Sequence, residues 1–213
     1  MSLILSAVSG CEQKKLEDSG KILSELHTLL KSKYAFKTRL TTAEVPCPND
    51  ATVVMIFGQS NSSNRVPRSK HFDLKNGQLY QWNWVDQKCA LYSEPVSGAD
   101  GDLAGNAITP TLTMIQDQIR RPIVIVAFGV GATSVTDWAE GPLSQVHETT
   151  LIQLKLRKLK PVVVFFHQGE TEGALTLGRK NAQENAQSSK DYERKLEKII
   201  HRQQHHFPKT WFG

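Results

Sequence analysis

The sequence predicts an α/β fold of three layers, α/β/α, built on a parallel sheet with helices on both faces. Three short apolar runs carry this prediction: Val53-Val54-Met55-Ile56-Phe57, Ile123-Val124-Ile125-Val126-Ala127-Phe128 and Val162-Val163-Val164-Phe165-Phe166. Each is too uniformly apolar for a sheet with one wet face, so each reads as a strand covered on both sides. Helical patterns stand between and after the runs, and strand, helix, strand, helix, strand, helix is the order that gives a parallel sheet.

In chain order, residues 12–33 carry Leu16, Ile22, Leu23, Leu26, Leu29 and Leu30 at helical spacing, an amphipathic helix. It belongs to an N-terminal extension, residues 1–50, which ends in the loop signal Pro46-Cys47-Pro48-Asn49. The domain proper spans 51–213. After the first strand, residues 62–77 are polar and show no clear element. Alternation in Leu79-Tyr80-Gln81-Trp82-Asn83-Trp84-Val85 and in Cys89-Ala90-Leu91-Tyr92, around Asp86-Gln87-Lys88, predicts a small hairpin. Thr109-Pro110 predicts a helix start, with the helix running to about 120. Helices are also expected over 144–159 and 189–206, the last closed by Pro208.

Length and composition narrow the function. The chain has 213 residues, enough for one domain with a sizeable core. Its net charge of +5 is spread over helix-like segments without interleaved aromatics, which gives nucleic-acid binding little support. No apolar run is long enough to span a bilayer. The residues before Cys11 are apolar and small, like the end of a bacterial lipoprotein signal, so export with a lipid anchor at Cys11 is one reading and a frayed start is the other. Three cysteines without a Cys-x-x-Cys pair favour neither a disulfide scaffold nor a zinc site. In an exported protein Cys47 and Cys89 are free to bridge; in a cytosolic one they are thiols.

In a parallel sheet the carboxyl ends of all strands lie along one edge, where such folds place their chemistry. Ser60, the turn 129–134 and residues 168–172 should therefore meet in one crevice. That crevice would hold a hydroxyl, backbone donors, a side-chain amide and carboxylates, a set suited to acyl transfer, in which a serine attacks a carbonyl and N–H groups stabilise the oxyanion.

Gly58-Gln59-Ser60-Asn61 resembles the nucleophile block of SGNH-type hydrolases, in particular the carbohydrate O-acetylesterases related to sialate and acetylxylan esterases. Gly131-Ala132-Thr133-Ser134, followed by Asp137-Trp138, is similar to that family's second block, and His167-Gln168-Gly169-Glu170 to its third. The likeness covers about residues 51–207. It implies a flavodoxin-like fold, deacetylation of a carbohydrate through an acetyl-serine intermediate, and no cofactor or metal. It makes Ser60 the nucleophile and gives the oxyanion hole to the N–H groups of Ser60 and Gly131 and the Gln168 amide. Glu170 would orient or polarise the histidine, or hold the active-site loops, and Gln59, Asn61, Thr133, Trp138 and His167 would line the substrate pocket.

The sequence departs from the family pattern at four places. Asn64 stands near a usual glycine, and asparagine tolerates the left-handed conformation expected there. Ala132 replaces a glycine, and Glu172 replaces an aspartate. The family's histidine lies in a late Asp-x-x-His after a further strand, and neither Asp-x-x-His nor Glu-x-x-His occurs here. The chain is therefore expected to lack its last strand, last helix and catalytic histidine. Of the seven histidines, His167 is the one at a strand end.

Two other readings stay open. A domain without its histidine would bind acetylated glycans and leave them intact. Gly129-Val130-Gly131-Ala132-Thr133-Ser134 also resembles a dinucleotide-binding G-x-G-x-x-G with its last glycine lost, although Gly141-Pro142 delays the helix that this motif should open.

Overall fold

The computed structural model describes residues 10–41, 43–65, 78–103, 105–116, 118–177 and 182–213, with side chains 113, 175–177 and 182–187 left aside. The apolar residues 3–9 and His71 lie outside the described residues. The chain forms a three-layer α/β/α sandwich. Six strands, β1 (Thr52–Gly58), β2 (Leu79–Asn83), β3 (Lys88–Leu91), β4 (Ile123–Gly129), β5 (Pro161–His167) and β6 (Trp211–Phe212), make one sheet of order β3-β2-β4-β1-β5-β6. All neighbours are parallel except β2 and β3, the hairpin expected from the sequence. The central strand is β1, and β6 pairs with β5 through Val163 and Val164.

Period-two alternation sends the residues of β1 and β4 to two separate cores. Val53, Met55 and Phe57, with Val124, Val126 and Phe128, face α1 (Gly10–Tyr34), α3 (Val135–Ala139), α4 (Pro142–Leu156) and α6 (Ala182–His206). Val54, Ile56, Ile125 and Ala127 face α2 (Ile108–Ile115) through Ile108 and Leu112. This second face is covered over β1 and β4 but not over β5, where Phe165 remains 37% exposed.

α1 buries Leu23, Leu26 and Leu30 in the same core as β1, while Ile22 and Leu29 stay exposed. The Gln153 amide donates to the Leu16 carbonyl and the Ser19 hydroxyl, tying α4 to α1. Cys47 and Cys89 form a disulfide that joins the segment before β1 to the hairpin.

Several boundaries differ from the sequence expectation. α2 starts before Thr109, because the Asn106 side chain accepts from the N–H groups of Ile108 and Thr109 and so starts the helix two residues before Pro110. Pro142 takes the first turn of α4, where its missing N–H costs nothing. Two helices stand where the sequence shows no helical pattern. α3 is closed by a capping box between Ser134 and Asp137, and α5 (Glu170–Leu177) follows β5 directly. Asn64 does not take the left-handed backbone expected of it. Its buried amide instead donates to the Val96 and Ala99 carbonyls and accepts from the Val96 N–H.

Candidate active site

The ends of three adjacent strands meet at Gly58, which pairs with Gly129 on one side and His167 on the other. The approach is close. Gly58 has φ +133°, and a Cβ there would lie 2.0 Å from the His167 carbonyl oxygen. A Cβ on Gly129 would lie 2.2 Å from the Ser62 carbonyl oxygen. Two glycines therefore let the chain leave β1 over its neighbours. The Gln59 N–H donates to the His167 carbonyl, and Ser60–Ser62 turns as a single 3-10 turn.

Ser60 heads that turn and is partly exposed. Its hydroxyl and its N–H have no hydrogen-bond partner among the described residues. An unpaired N–H is what the start of a helical turn leaves, and here it lies next to a free hydroxyl. Beside it, the Asn61 amide donates to Glu170 Oε1 at 2.5 Å, and His167 Nε2 lies 3.6 Å from the same oxygen. His167 is the only histidine at the carboxyl edge of the sheet among the described residues. His147 is buried beneath Phe57, His27 packs on Phe36 and Trp84, and His206 pairs with Glu148.

The other residues expected at the site are engaged elsewhere. The Gly131 N–H donates at 3.1 Å to Asp100, a carboxylate that is 1% exposed and also accepts from the Lys37 N–H and pairs with Arg65. The Gln168 amide donates to Gln59 Oε1, to the Thr133 carbonyl and to Glu172, locking the three strand-end loops together. Gln59 and Gln168 are 4% and 9% exposed, and the Gln168 Oε1 has no partner. Thr133 and Trp138 are fully buried. Trp138 lies inside the core rather than on a pocket wall, packed against Phe57, Phe128 and Phe166, with its indole N–H on the Thr133 hydroxyl. A Trp among three phenylalanines gains more from burial than from a place at the surface.

Two positioning residues were not singled out in the sequence. Asp100 holds the turn after β4, and Glu172 accepts the Val135 N–H at 2.6 Å, one of the orphan donors at the start of α3. The carboxylate of Glu172 was visible only as a departure from the family aspartate; its longer side chain makes this bridge. Asp137 had a local signal, the Ser-x-x-Asp spacing of a capping box. Burial works against its charge, but hydrogen bonds from Tyr34 and Ser134 outweigh burial and hold its carboxyl below the usual range.

Ala132 adopts φ +58°, a left-handed conformation that costs a side chain about 1–2 kcal/mol. It is exposed, so little packing is lost on removing its methyl. Ala132→Gly should stabilise the protein by about 1 kcal/mol after the extra freedom of glycine in the unfolded chain is counted. Urea unfolding of the pair checks this, and an unchanged or lower midpoint contradicts it.

Among the described residues, no three His, Cys, Asp or Glu side chains gather as metal ligands would. No protein-family model matches the chain. No curated protein matches it. Among solved structures it is similar to a protein from Arabidopsis thaliana known by X-ray crystallography, at 15% sequence identity over 76% of this chain and 72% of that one, with a TM-score of 0.57. At that identity the likeness is one of fold alone.

Proposed function

We propose that this chain is a serine-dependent carboxylic ester hydrolase acting on O-acylated carbohydrates, with O-acetyl groups the substituents that the family resemblance implies. The observation that carries the proposal is Ser60. Its hydroxyl and N–H have no partner among the described residues, at the carboxyl end of β1, next to the only histidine and carboxylate pair on that edge among the described residues.

In the proposed reaction Ser60 Oγ attacks the ester carbonyl carbon and its proton passes to His167. The carbon–oxygen bond to the sugar breaks, and the sugar oxygen takes that proton. Water then attacks the acyl-serine, releasing the acid and restoring Ser60. Glu170 stabilises the imidazolium, and the Ser60 N–H donates to the oxyanion. The Gly131 and Gln168 donors join only by leaving Asp100 and the Gln59, Thr133 and Glu172 set. Their engagement favours a second reading, glycan binding without hydrolysis. The disulfide supports an exported protein, with Cys11 exposed at the start of α1 as the point of lipid attachment.

A fluorophosphonate probe with mass mapping tests the proposal. The expected adduct is on Ser60, lost in Ser60→Ala and slowed at least about a hundredfold in His167→Ala, the low end of what a general base contributes. A folded protein that takes no adduct on Ser60 but still binds acetylated glycans establishes the second reading instead.

A further inference from the structure

The uncovered face of β5 carries a feature that the scheme above does not use. A cavity of roughly 280 Å³ lies there, walled by Ile56, Ala107, Ile108, Phe165 and Phe166. Asn61 and Ser62, the two residues that follow Ser60, belong to the same wall, as does His167. The cavity therefore begins where the nucleophile turn ends.

Its lining is mostly apolar. The polar side chains that line it each have an internal partner: the Ser62 hydroxyl donates to the Phe57 carbonyl, the Thr111 hydroxyl to the Ala107 carbonyl and the Asn61 amide to Glu170, and His167 faces the same carboxylate. Each of these groups keeps a partner inside the protein, so an apolar occupant strands none of them. Size points the same way. At about 30 Å³ for each water-sized group, the cavity has room for roughly nine of them, and an acetyl group would leave most of it empty.

We infer that this cavity takes the acyl chain of the ester, an aliphatic chain of about six to eight carbons, and so selects medium-chain acyl esters over acetyl esters. The inference rests on the assignment of Ser60 as nucleophile, because that assignment sets the carbonyl at the mouth of the cavity. Burial of each further methylene should raise affinity about fourfold.

The test separates the chain site from the chemistry. Octanoate and butyrate are titrated calorimetrically into the full chain, Ser60→Ala, Ala107→Phe and Thr111→Phe. Ala107, just before α2, and Thr111, one turn along it, are exposed, so a phenylalanine at either can enter the cavity without replacing a core residue. Octanoate should bind at least tenfold more tightly than butyrate. Each phenylalanine should weaken octanoate binding at least tenfold at unchanged thermal stability, and Ser60→Ala should leave it intact. Octyl and ethyl phosphonate probes are then compared for labelling of Ser60, and the octyl probe should react at least tenfold faster at low concentration. Equal affinity for the two acids, or indifference to both phenylalanines, overturns the inference. Labelling of Ser60 without chain-length preference also overturns it but leaves the esterase reading standing. Octanoate binding with no labelling by either probe sinks the esterase reading, and with it the acyl assignment, while the aliphatic site remains.

Discussion

Asp100→Ala should be the most damaging single substitution at the site, costing about 3–5 kcal/mol. The carboxylate is buried and serves three donors at once: the Lys37 and Gly131 N–H groups and the Arg65 guanidinium. Its removal leaves the buried Gly131 N–H and the part-buried Lys37 N–H without a partner, at about 1–3 kcal/mol for a fully buried donor, and an arginine without its counter-charge. Arg65 is half exposed, so water screens much of that last loss and the backbone donors dominate. For a chain of this length the loss should lower the melting temperature by about 10 °C. Asp100→Asn keeps one acceptor and should fall between the two. If Asp100→Ala unfolds in urea within about 1 kcal/mol of the parent, the turn after β4 is held by something other than this carboxylate.

The second large effect is a loss of stability in mild acid. His147 is fully buried against Phe57 and Phe128, with Nε2 3.1 Å from Gln203 Oε1 and Nδ1 unpartnered. Burial, and then the charge of Arg202, push its pKa down to about 3; the Gln203 hydrogen bond works the other way, and the charge of His206 adds a little to the lowering. An unfolded histidine titrates near 6.5. Below that value the unfolded chain binds a proton that the folded chain refuses, so protonation favours unfolding. The contribution is therefore complete above pH 6.5 and is lost as pH falls towards about 3, at about 1.4 kcal/mol per pH unit. Between pH 6.5 and 5 the parent should lose about 2 kcal/mol from this group. His27, also lowered by burial and by Lys31, contributes with the same sign. His147→Gln cannot titrate, and its urea-derived stability should fall less steeply over that window. A parallel slope in the two proteins would rule His147 out as the acid-sensitive group.

Neither effect was legible in the sequence. Asp100 sits in a loop rich in Gly and Asp, and its partners are 31 to 63 residues away. His147 lies in a helix where any amphipathic pattern would accept it, and the charges around it come from α6. The sheet was legible, because three apolar runs bounded by glycine or proline have few other ways to be buried. The hairpin was legible from alternation around a polar turn. The two short helices at the site were not. α3 spans five residues, too few for periodicity to show, and α5 spans eight, with Glu172 in its first turn bridging to α3.

Three apolar runs were enough to read the sheet and the gathering of Ser60, Gly131 and Gln168 at one edge, since parallel strands of similar length must end together. They were not enough to read which faces are covered, since one face of β5 stays open, nor what the gathered residues do there. A backbone N–H or a side-chain amide serves whichever acceptor lies within 3 Å or so, and that acceptor is set by long-range packing. Packing gave the Gly131 N–H to Asp100, the Gln168 amide to three loops and the Trp138 ring to the core. It left the Ser60 hydroxyl and N–H without a partner among the described residues.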